Sequence, residues 1–434
     1  MNPENDVNTH YLNHVVETSS SRTIEASEDI IARNGMKLLA KGARIDATVR
    51  DRLLEHKLRK PLEECIVVSG DVTGMLSRSA EELLARHAFL RELCGDGVTR
   101  KAVTLFGSMK LSPPLRSLMM VYCEQREDKL HHAMTVCLIA QGLSHRLARE
   151  DSSWHHNMNL ASLLHDVGEL YIDPAFLARG VQLTPEQWRH IATHPIVAHR
   201  VLKQTSGAGA LVADIVQLHH EREDGFGYPH RLQSDRITLG GRILAAAELL
   251  AGLTESGARP ISRAAIAMKL IPGEFDRSII DIVARISQCE VEEETPQDAT
   301  AILEASLPRI RCIAQALDRF QRGRPVLEKQ MTTVSDKMKP IIAQGIDRLR
   351  SIQIAFSSTG MDTSDPDRLL FGEEHAADAD FHLELTTVLR EIEWRLRELE
   401  RESVQRASLM APQEAPLIRQ IIELMKGRVP AEVD

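Results

Sequence analysis

The sequence predicts a mainly α-helical protein with a small N-terminal α/β module and a helical C-terminal region. From Asp71 onward apolar residues recur at spacings of three and four, which is the period of an amphipathic helix. Before that point the apolar segments are short and are separated by Asn34-Gly35 and Lys41-Gly42, dipeptides that are typical of turns between strands.

The bulk composition is that of an ordinary globular protein. The 434 residues include 43% hydrophobic residues, enough for a sizeable core and for two or three domains. The formal net charge of -9 and the pI of about 6.1 argue against duplex nucleic acid as a partner, because that partner requires a concentrated basic face.

The cysteines and the N-terminal residues indicate the cellular compartment of the protein. The six cysteines are scattered and form no CxxC pair, which favours free thiols in a reducing environment. The first twenty residues lack the apolar segment of a secretion signal, and no run of 18 apolar residues occurs. We therefore expect a cytoplasmic protein without membrane insertion.

The N-terminal part divides into two predicted segments. Residues 1–24 are polar and are expected to be a flexible lead. Residues 25–110 are expected to form the small α/β regulatory module and connecting helices, with a hairpin at Asn34-Gly35 and a further strand at residues 65–68.

Two helix starts can be recognised in the helical body. Ser112-Pro113 supplies an N-cap followed by proline at the first helical position. Thr184 and Gln187 have the spacing of a capping box, so a helix is expected to begin here and to run toward His194.

Residues 296–434 are predicted to be a helical region of a different character. Gly323-Arg324-Pro325 is expected to break a helix, and residues 357–368 to form a polar linker. The helix predicted at residues 378–408 carries apolar residues near heptad spacing, namely Phe381, Leu385, Val388, Ile392, Leu396 and Leu399. This stripe fits the seam of a homodimer and fits packing within the chain equally well.

The histidines carry the main functional signal. Of 18 histidines, those at 132, 165, 194, 219 and 220 lie beside helix-like apolar stretches. Each alone is more often a hydrogen-bonded histidine than a metal ligand. The adjacent pair His219-His220 reaches one centre only if the centre is wide, as with two metal ions, or if the pair lies at the fraying end of a helix.

The order of these motifs resembles that of the HD-GYP family, a branch of the HD superfamily of metal-dependent phosphohydrolases. The resemblance rests on LHDVG at residues 164–168, His194-Pro195, and HHE followed by DGFGYP at residues 219–229. It covers residues 111–295 and implies an HD-type helical bundle. It also implies a centre of two or three divalent metal ions that hydrolyses cyclic di-GMP to pGpG or GMP through a metal-activated hydroxide.

The resemblance assigns metal ligands residue by residue. The positions that match the ligands of the family are His132, His165, Asp166, His194, His219, His220 and Glu248. Asp128 stands one turn before His132, where members of the family with a third metal have a glutamate.

The chemistry of these side chains agrees with the resemblance. Mixed imidazole and carboxylate ligands suit iron, manganese or zinc, of which iron or manganese is expected here. Asp166 is the group able to bridge two ions, because a carboxylate has two oxygens. Two metals about 3.5–4 Å apart can hold a hydroxide and offset the charge of a phosphodiester under attack.

The loop that follows the histidine pair is expected to line the substrate site. Gly225 and Gly227 allow positive φ or close backbone approach, and Phe226 or Tyr228 has a face for stacking on guanine. The alternative for Tyr228 is simple packing. Three arginines are candidates for phosphate binding and equally for solvated surface residues: Arg231, Arg236 and Arg242.

Three positions depart from the family pattern. Glu169 stands where the family motif HDxGK has lysine, which replaces a cation expected at the substrate phosphate by an anion. Glu169 is therefore a candidate for metal or water binding, and with Asp166 it forms the predicted catalytic pair. Glu248 replaces an aspartate and Ala198 replaces a glycine.

The sequence thus leaves three classes of function open. The first is an active cyclic di-GMP phosphodiesterase. The second is a catalytically weak relative that binds metal or cyclic dinucleotide and acts on signalling protein partners through its other regions. The third is an HD-superfamily phosphohydrolase for another nucleotide, against which the DGFGYP loop argues.

Overall fold

The computed structural model describes most of the chain as helix. The described residues are 7–147, 151–178, 180–181, 183–288, 290, 299–330, 335–336, 339–361 and 378–408. They fall into two compact units. The first comprises Met1–Ala178, His190–Gly257 and Phe275–Glu290, and the second comprises Arg179–Arg189, Ala258–Glu274 and Val291–Asp434.

The elements are numbered in chain order. The helices are α1 (Thr9–Thr18), α2 (Arg50–Leu54), α3 (Val72–Arg86), α4 (Ala88–Gly107), α5 (Pro113–Glu124), α6 (Glu127–Leu147), α7 (Ser152–Leu163), α8 (Pro185–Ile191), α9 (His194–Gln204), α10 (Ala210–Val216), α11 (Leu239–Glu255), α12 (Pro260–Leu270), α13 (Arg277–Ser287), α14 (Ala299–Gln330), α15 (Lys339–Ser358) and α16 (Ala379–Ser408). The strands are β1 (Ile24–Ala26), β2 (Ile30–Ile31), β3 (Lys37–Leu39) and β4 (Ile66–Val68). Short 3₁₀ helices occupy Leu62–Glu64, Val167–Tyr171, Pro174–Phe176 and Ser234–Arg236. The predicted mainly α fold with small sheets is confirmed.

The N-terminal lead differs from the prediction. Residues expected to be flexible form α1, which begins at an N-cap where the Asn8 side chain accepts hydrogen bonds from two backbone amides. The reason is that Tyr11, Leu12 and Val15 share one buried face of this helix. The burial of that face stabilises a helix too short to persist alone.

This face of α1 contacts the segment that follows the histidine-aspartate pair. The rings of Tyr11 and Tyr171 stack in parallel with centroids 5.0 Å apart. The Tyr171 hydroxyl donates to Glu63, and the Asn8 amide donates to the Tyr171 carbonyl oxygen at 3.4 Å. The N-terminal residues therefore hold the 3₁₀ helix Val167–Tyr171 in place.

The small α/β module is present as two antiparallel strand pairs. The β2–β3 hairpin turns at the predicted Asn34-Gly35, where Gly35 has a φ of 86°. Strand β4 pairs with β1. The module lies in the same compact unit as the histidine motifs, so the boundary predicted near residue 110 does not separate two units.

Both predicted helix starts are confirmed. The Ser112 side chain caps α5 by accepting from the Leu115 amide, with Pro113 at the first position. Thr184 and Gln187 form the reciprocal capping box, with side-chain to backbone distances of 2.8 and 3.3 Å. Helix α8 ends at Ile191, so His194 begins the next helix.

The second unit has an apolar core built from α14, α15 and α16. The predicted break at Gly323–Pro325 is wrong, because α14 continues through Pro325, with Phe320 and Leu327 buried on either side. The apolar stripe of α16 from Leu385 to Leu399 is buried in this core. Of the two expectations for the stripe, this burial agrees with packing within the chain. Most of the predicted polar linker, from residue 362, lies outside the described residues.

A buried ionic cluster also marks the second unit. Glu274 accepts hydrogen bonds from Arg348 at 3.3 Å and from Arg395 at 2.6 Å. The Arg395 guanidinium also donates to Glu391 at 2.7 Å. Because removing one partner would leave a buried charge uncompensated, these residues hold α15 and α16 to the segment that follows α12.

Membrane insertion was not expected from the sequence. Among the helices in the described ranges, none combines the length and the apolar character that crossing a bilayer requires.

Candidate metal centre

The predicted ligands come together in the first unit, and five of the seven lie at or just beyond the ends of helices. His165 and Asp166 follow α7, His194 is the first residue of α9, and His219-His220 follow α10. The histidine pair lies in the turn beyond the last residue of its helix, the placement that lets both rings face one centre. His132 and Glu248 lie within α6 and α11.

Three of the histidines are oriented by the same local hydrogen bond to the backbone. The Nδ1 atoms of His165, His194 and His219 lie 2.7, 2.8 and 2.6 Å from the carbonyl oxygen of the residue three positions earlier. Each acceptor lies in the last turn of a helix, where the carbonyl groups have no intrahelical partner. A carbonyl oxygen only accepts, so each Nδ1 carries the proton, and the Nε2 lone pair faces inward.

These inward nitrogens converge in two groups. Nε2 of His132 and His165 are 3.2 Å apart, and Nε2 of His194 and His219 are 2.9 Å apart. Asp166, His194, His219 and His220 form one cluster of potential ligand atoms, and His132, His165 and Glu248 form the other. Facing lone pairs repel each other, so each cluster requires a bound cation or a proton.

Asp166 connects the two clusters through its separate oxygens. Its Oδ1 lies 3.4 Å from Nε2 of His194 and 3.6 Å from Nε2 of His219. Its Oδ2 lies 3.4 Å from Nε2 of His165 and 3.7 Å from Nε2 of His132. This is the disposition that a bridging carboxylate requires, and the bridging role itself stays a prediction.

Glu248 completes the second cluster. Its Oε2 lies 3.2 Å from Nε2 of His165 and 3.4 Å from Nε2 of His132. The longer side chain of glutamate therefore still reaches the histidines at the position where the family has aspartate.

The carboxylates and histidines of the two clusters shift one another's pKa values. Burial lowers the pKa of His165, but Asp166 and Glu248 outweigh it and raise that pKa to about 10. Burial raises the pKa of Asp166, but the surrounding histidines hold it well below its usual range. Burial and the neighbouring histidines lower the pKa of His220, which favours the neutral ring that a metal ion requires. A proton on His165 would occupy the place of a metal ion and be displaced by it.

The donor set fits divalent transition metals. Neutral imidazole nitrogens with two carboxylates suit iron, manganese or zinc better than calcium or magnesium. His132, His165, Glu248 and one oxygen of Asp166 would hold one ion. The remaining histidines and the other oxygen of Asp166 would hold the second.

Glu255 orients His132 and was not found from the sequence. Its Oε1 lies 2.8 Å from Nδ1 of His132. Glu255 follows Glu248 by seven residues on α11, two turns along the same face, and that spacing is the signal that the sequence offered. His132 is therefore held by a carboxylate, whereas His165, His194 and His219 are held by carbonyl oxygens.

We expect Glu255→Ala to weaken metal affinity by about 10- to 100-fold, because the variant removes the orienting group of one ligand. Glu255→Gln keeps an acceptor for Nδ1 and should lose less. Competition with a chelating dye measures both affinities. Glu81→Gln, on the exposed side of α3, is the matched control. Wild-type affinity in both Glu255 variants would contradict this role.

Glu169 does not belong to either ligand cluster, and it pairs with a lysine. Its Oε2 accepts a hydrogen bond from Nζ of Lys129, and both side chains are 16% exposed. Glu169 lies in the 3₁₀ helix after Asp166, and Lys129 lies on α6 three residues before His132. The sequence did not identify Lys129, because the pairing joins residues 40 positions apart.

The glycine-rich loop is anchored against the cluster. Both oxygens of the buried Glu221 accept backbone amides of this loop, from His230 at 2.6 Å and from Leu232 at 2.9 Å. A Cβ on Gly227 would lie 2.2 Å from the Arg222 nitrogen, so only glycine fits there. The Tyr228 ring stacks on His220 with centroids 4.5 Å apart.

The remaining candidates are a loop glycine, three arginines and Asp128. Gly225 turns the loop with a φ of 80°. Arg231 and Arg236 are exposed. Arg242 contacts Glu223 at 3.0 Å and Asp276 at 2.9 Å, so it ties the loop to α11 and α13. Asp128 is in neither cluster and accepts a hydrogen bond from Arg126.

The fold and the site define a helical protein with two clusters of histidine and carboxylate side chains that could hold divalent metal ions. Residues 119–279 match the family model described as an HD domain. The resemblance found in the sequence is thereby confirmed, and the named relatives are consistent with the HD-GYP branch.

Three curated relatives give the range of similarity. A 3'3'-cGAMP-specific phosphodiesterase of Vibrio cholerae is 26% identical over 50% of this chain and 49% of its own length. A cyclic di-GMP phosphodiesterase of Pseudomonas aeruginosa is 32% identical over 28% of this chain and 30% of its own. A cyclic di-GMP phosphodiesterase of Thermotoga maritima is 34% identical over 24% and 30%. The chain spans about half or less of the length of these relatives.

Proposed function

We propose that this chain is a metal-dependent phosphodiesterase that hydrolyses a cyclic dinucleotide, with cyclic di-GMP as substrate and pGpG or GMP as product. The observation that carries the proposal is the placement of Asp166, whose two oxygens face two separate groups of inward-facing histidines. The names of the relatives support the substrate class.

The chain's own residues account for binding and orientation. Divalent ions, iron or manganese by the donor set, would lower the pKa of water and offset the charge that develops on the phosphoryl oxygens. Backbone carbonyl groups keep the protons of three histidines on Nδ1, which leaves Nε2 as the ligand atom. Glu221 fixes the glycine-rich loop so that Tyr228 covers His220.

The alternative is a metal- or nucleotide-binding signalling protein of low catalytic activity. It is favoured by Glu169, a carboxylate beside Asp166 where the family pattern has a cation. An anion at this place repels a substrate phosphate.

Hydrolysis assays on the full chain separate these functions. The protein is loaded without oxygen with Fe²⁺ or Mn²⁺, its metal content is measured, and cyclic di-GMP and 3'3'-cGAMP are offered in parallel. We expect linear products that depend on the added metal, with the chelated protein as control. A fully loaded protein that binds either nucleotide without turnover would overturn the enzymatic proposal in favour of the signalling protein.

A further inference from the structure

The ion pair between Lys129 and Glu169 lies beside the metal cluster and has no assigned role. Lys129 precedes the ligand His132 by almost one helical turn, so both side chains leave α6 on the same side. Glu169 is three residues beyond the bridging Asp166. The pair therefore connects the two segments that supply the bridging carboxylate and one of its histidine neighbours.

The buried ring of Tyr122 packs against the Lys129 end of this ion pair. Nζ of Lys129 lies 5.4 Å from the centroid of the Tyr122 ring, within the range of a cation–π contact. Tyr122 is 1% exposed, and its hydroxyl has no hydrogen-bond partner among the residues that the structure describes. Burial and the nearby charges of Asp166 and Glu169 raise the pKa of Tyr122, which keeps the phenol neutral.

The carboxylates around the ion pair would repel a phosphate group. Asp166, Glu169 and Glu248 are all carboxylates, and a phosphodiester approaching them requires a neighbouring cation. Arg126 is bonded to Asp128 and Arg242 to Glu223 and Asp276. The ammonium of Lys129 has three N–H donors, so its pairing with Glu169 leaves donors for a second acceptor.

We propose that Lys129 binds a phosphate oxygen of the substrate beside the metal centre and that Glu169 positions its ammonium group there. The positive charge that the family pattern places at residue 169 is thus supplied from α6. This inference rests on the proposed phosphodiesterase function and names a residue that contacts its substrate.

Inorganic phosphate tests the inference without requiring turnover. The Mn²⁺-loaded full chain is titrated calorimetrically with phosphate, and its metal content is measured in parallel. Lys129→Met keeps the aliphatic stem and removes the charge, and it should weaken phosphate affinity by about 10- to 100-fold with metal content unchanged. Lys101→Met, at an exposed position on α4, is the control and should match the wild type.

Two further variants test the role of Glu169. The charge-swapped Lys129→Glu/Glu169→Lys protein keeps one cation in the pair and should bind phosphate within about threefold of the wild type. Glu169→Gln still offers an oxygen to Lys129 and removes the negative charge, so it should bind phosphate at least as tightly as the wild type. Glu169→Ala removes the same charge together with the positioning oxygen, so it should bind phosphate at least about threefold more weakly than Glu169→Gln.

The proposal is overturned if Lys129→Met binds phosphate as the wild type does, or loses metal together with phosphate. It is also overturned if the swapped protein binds phosphate as poorly as Lys129→Met does. Equal phosphate affinity of Glu169→Ala and Glu169→Gln would refute the positioning role. The proposed phosphodiesterase function would fail in a different way: the wild-type protein would bind phosphate through Lys129 and would hydrolyse neither cyclic dinucleotide.

Discussion

Asp166→Asn is expected to lower hydrolysis of a cyclic dinucleotide by at least about 1,000-fold, because the bridge between two metal ions contributes several kcal/mol to the transition state. The amide offers one oxygen and an NH₂ group in place of two carboxylate oxygens. One of the two histidine groups would therefore lose its shared ligand. Metal content should fall with activity, measured by elemental analysis of the purified protein.

The matched control for this variant is Asp281→Asn, which makes the same chemical change at an exposed position on α13. It should keep wild-type metal content and activity. An Asp166→Asn protein that retains two metal ions and wild-type turnover would show that the bridge has been assigned to the wrong residue.

Gly168→Ala is expected to reduce activity by about 100-fold through a purely steric effect. A Cβ at residue 168 would lie 2.1 Å from the His194 carbonyl oxygen and 2.9 Å from the Ala198 nitrogen. The segment after Asp166 and the start of α9 would have to separate by more than about 1 Å, a displacement known to cost this much in well-organised sites. Steady-state kinetics and metal titration measure the effect.

Gly252→Ala is the control for this steric prediction. Gly252 lies on α11, the helix of Glu248, and a Cβ there meets nothing within 4 Å. The variant should be as active as the wild type and slightly more stable, since alanine favours helix over glycine by about 1 kcal/mol. Equal activity of both alanine variants would refute the account of Gly168.

Local patterns were the part of the fold that the sequence predicted well. Ser112-Pro113 and the Thr184–Gln187 capping box operate within one turn of helix, so their chemistry depends on neighbours in sequence. The histidines that follow α7 and α10 could be named because their motifs are contiguous. The bridging role of Asp166, which rests on the two oxygens of a carboxylate, stays a prediction.

The differences between prediction and structure arise from tertiary contacts. Helix α1 forms because its apolar face packs on Tyr171, 160 residues away in sequence from Tyr11. The polar composition of residues 1–24 does not indicate this contact. Helix α14 passes through Pro325 because the flanking residues are buried in a core. Lys129 and Glu255 act on the site through partners more than thirty residues distant. A single sequence does not reveal such pairs.

The most direct test of the two-metal centre is an anomalous difference map from crystals grown with Mn²⁺. The account predicts two peaks, one among His132, His165 and Glu248 and one among His194, His219 and His220, with one oxygen of Asp166 toward each. A single peak, or peaks that leave Asp166 without contact, would contradict it.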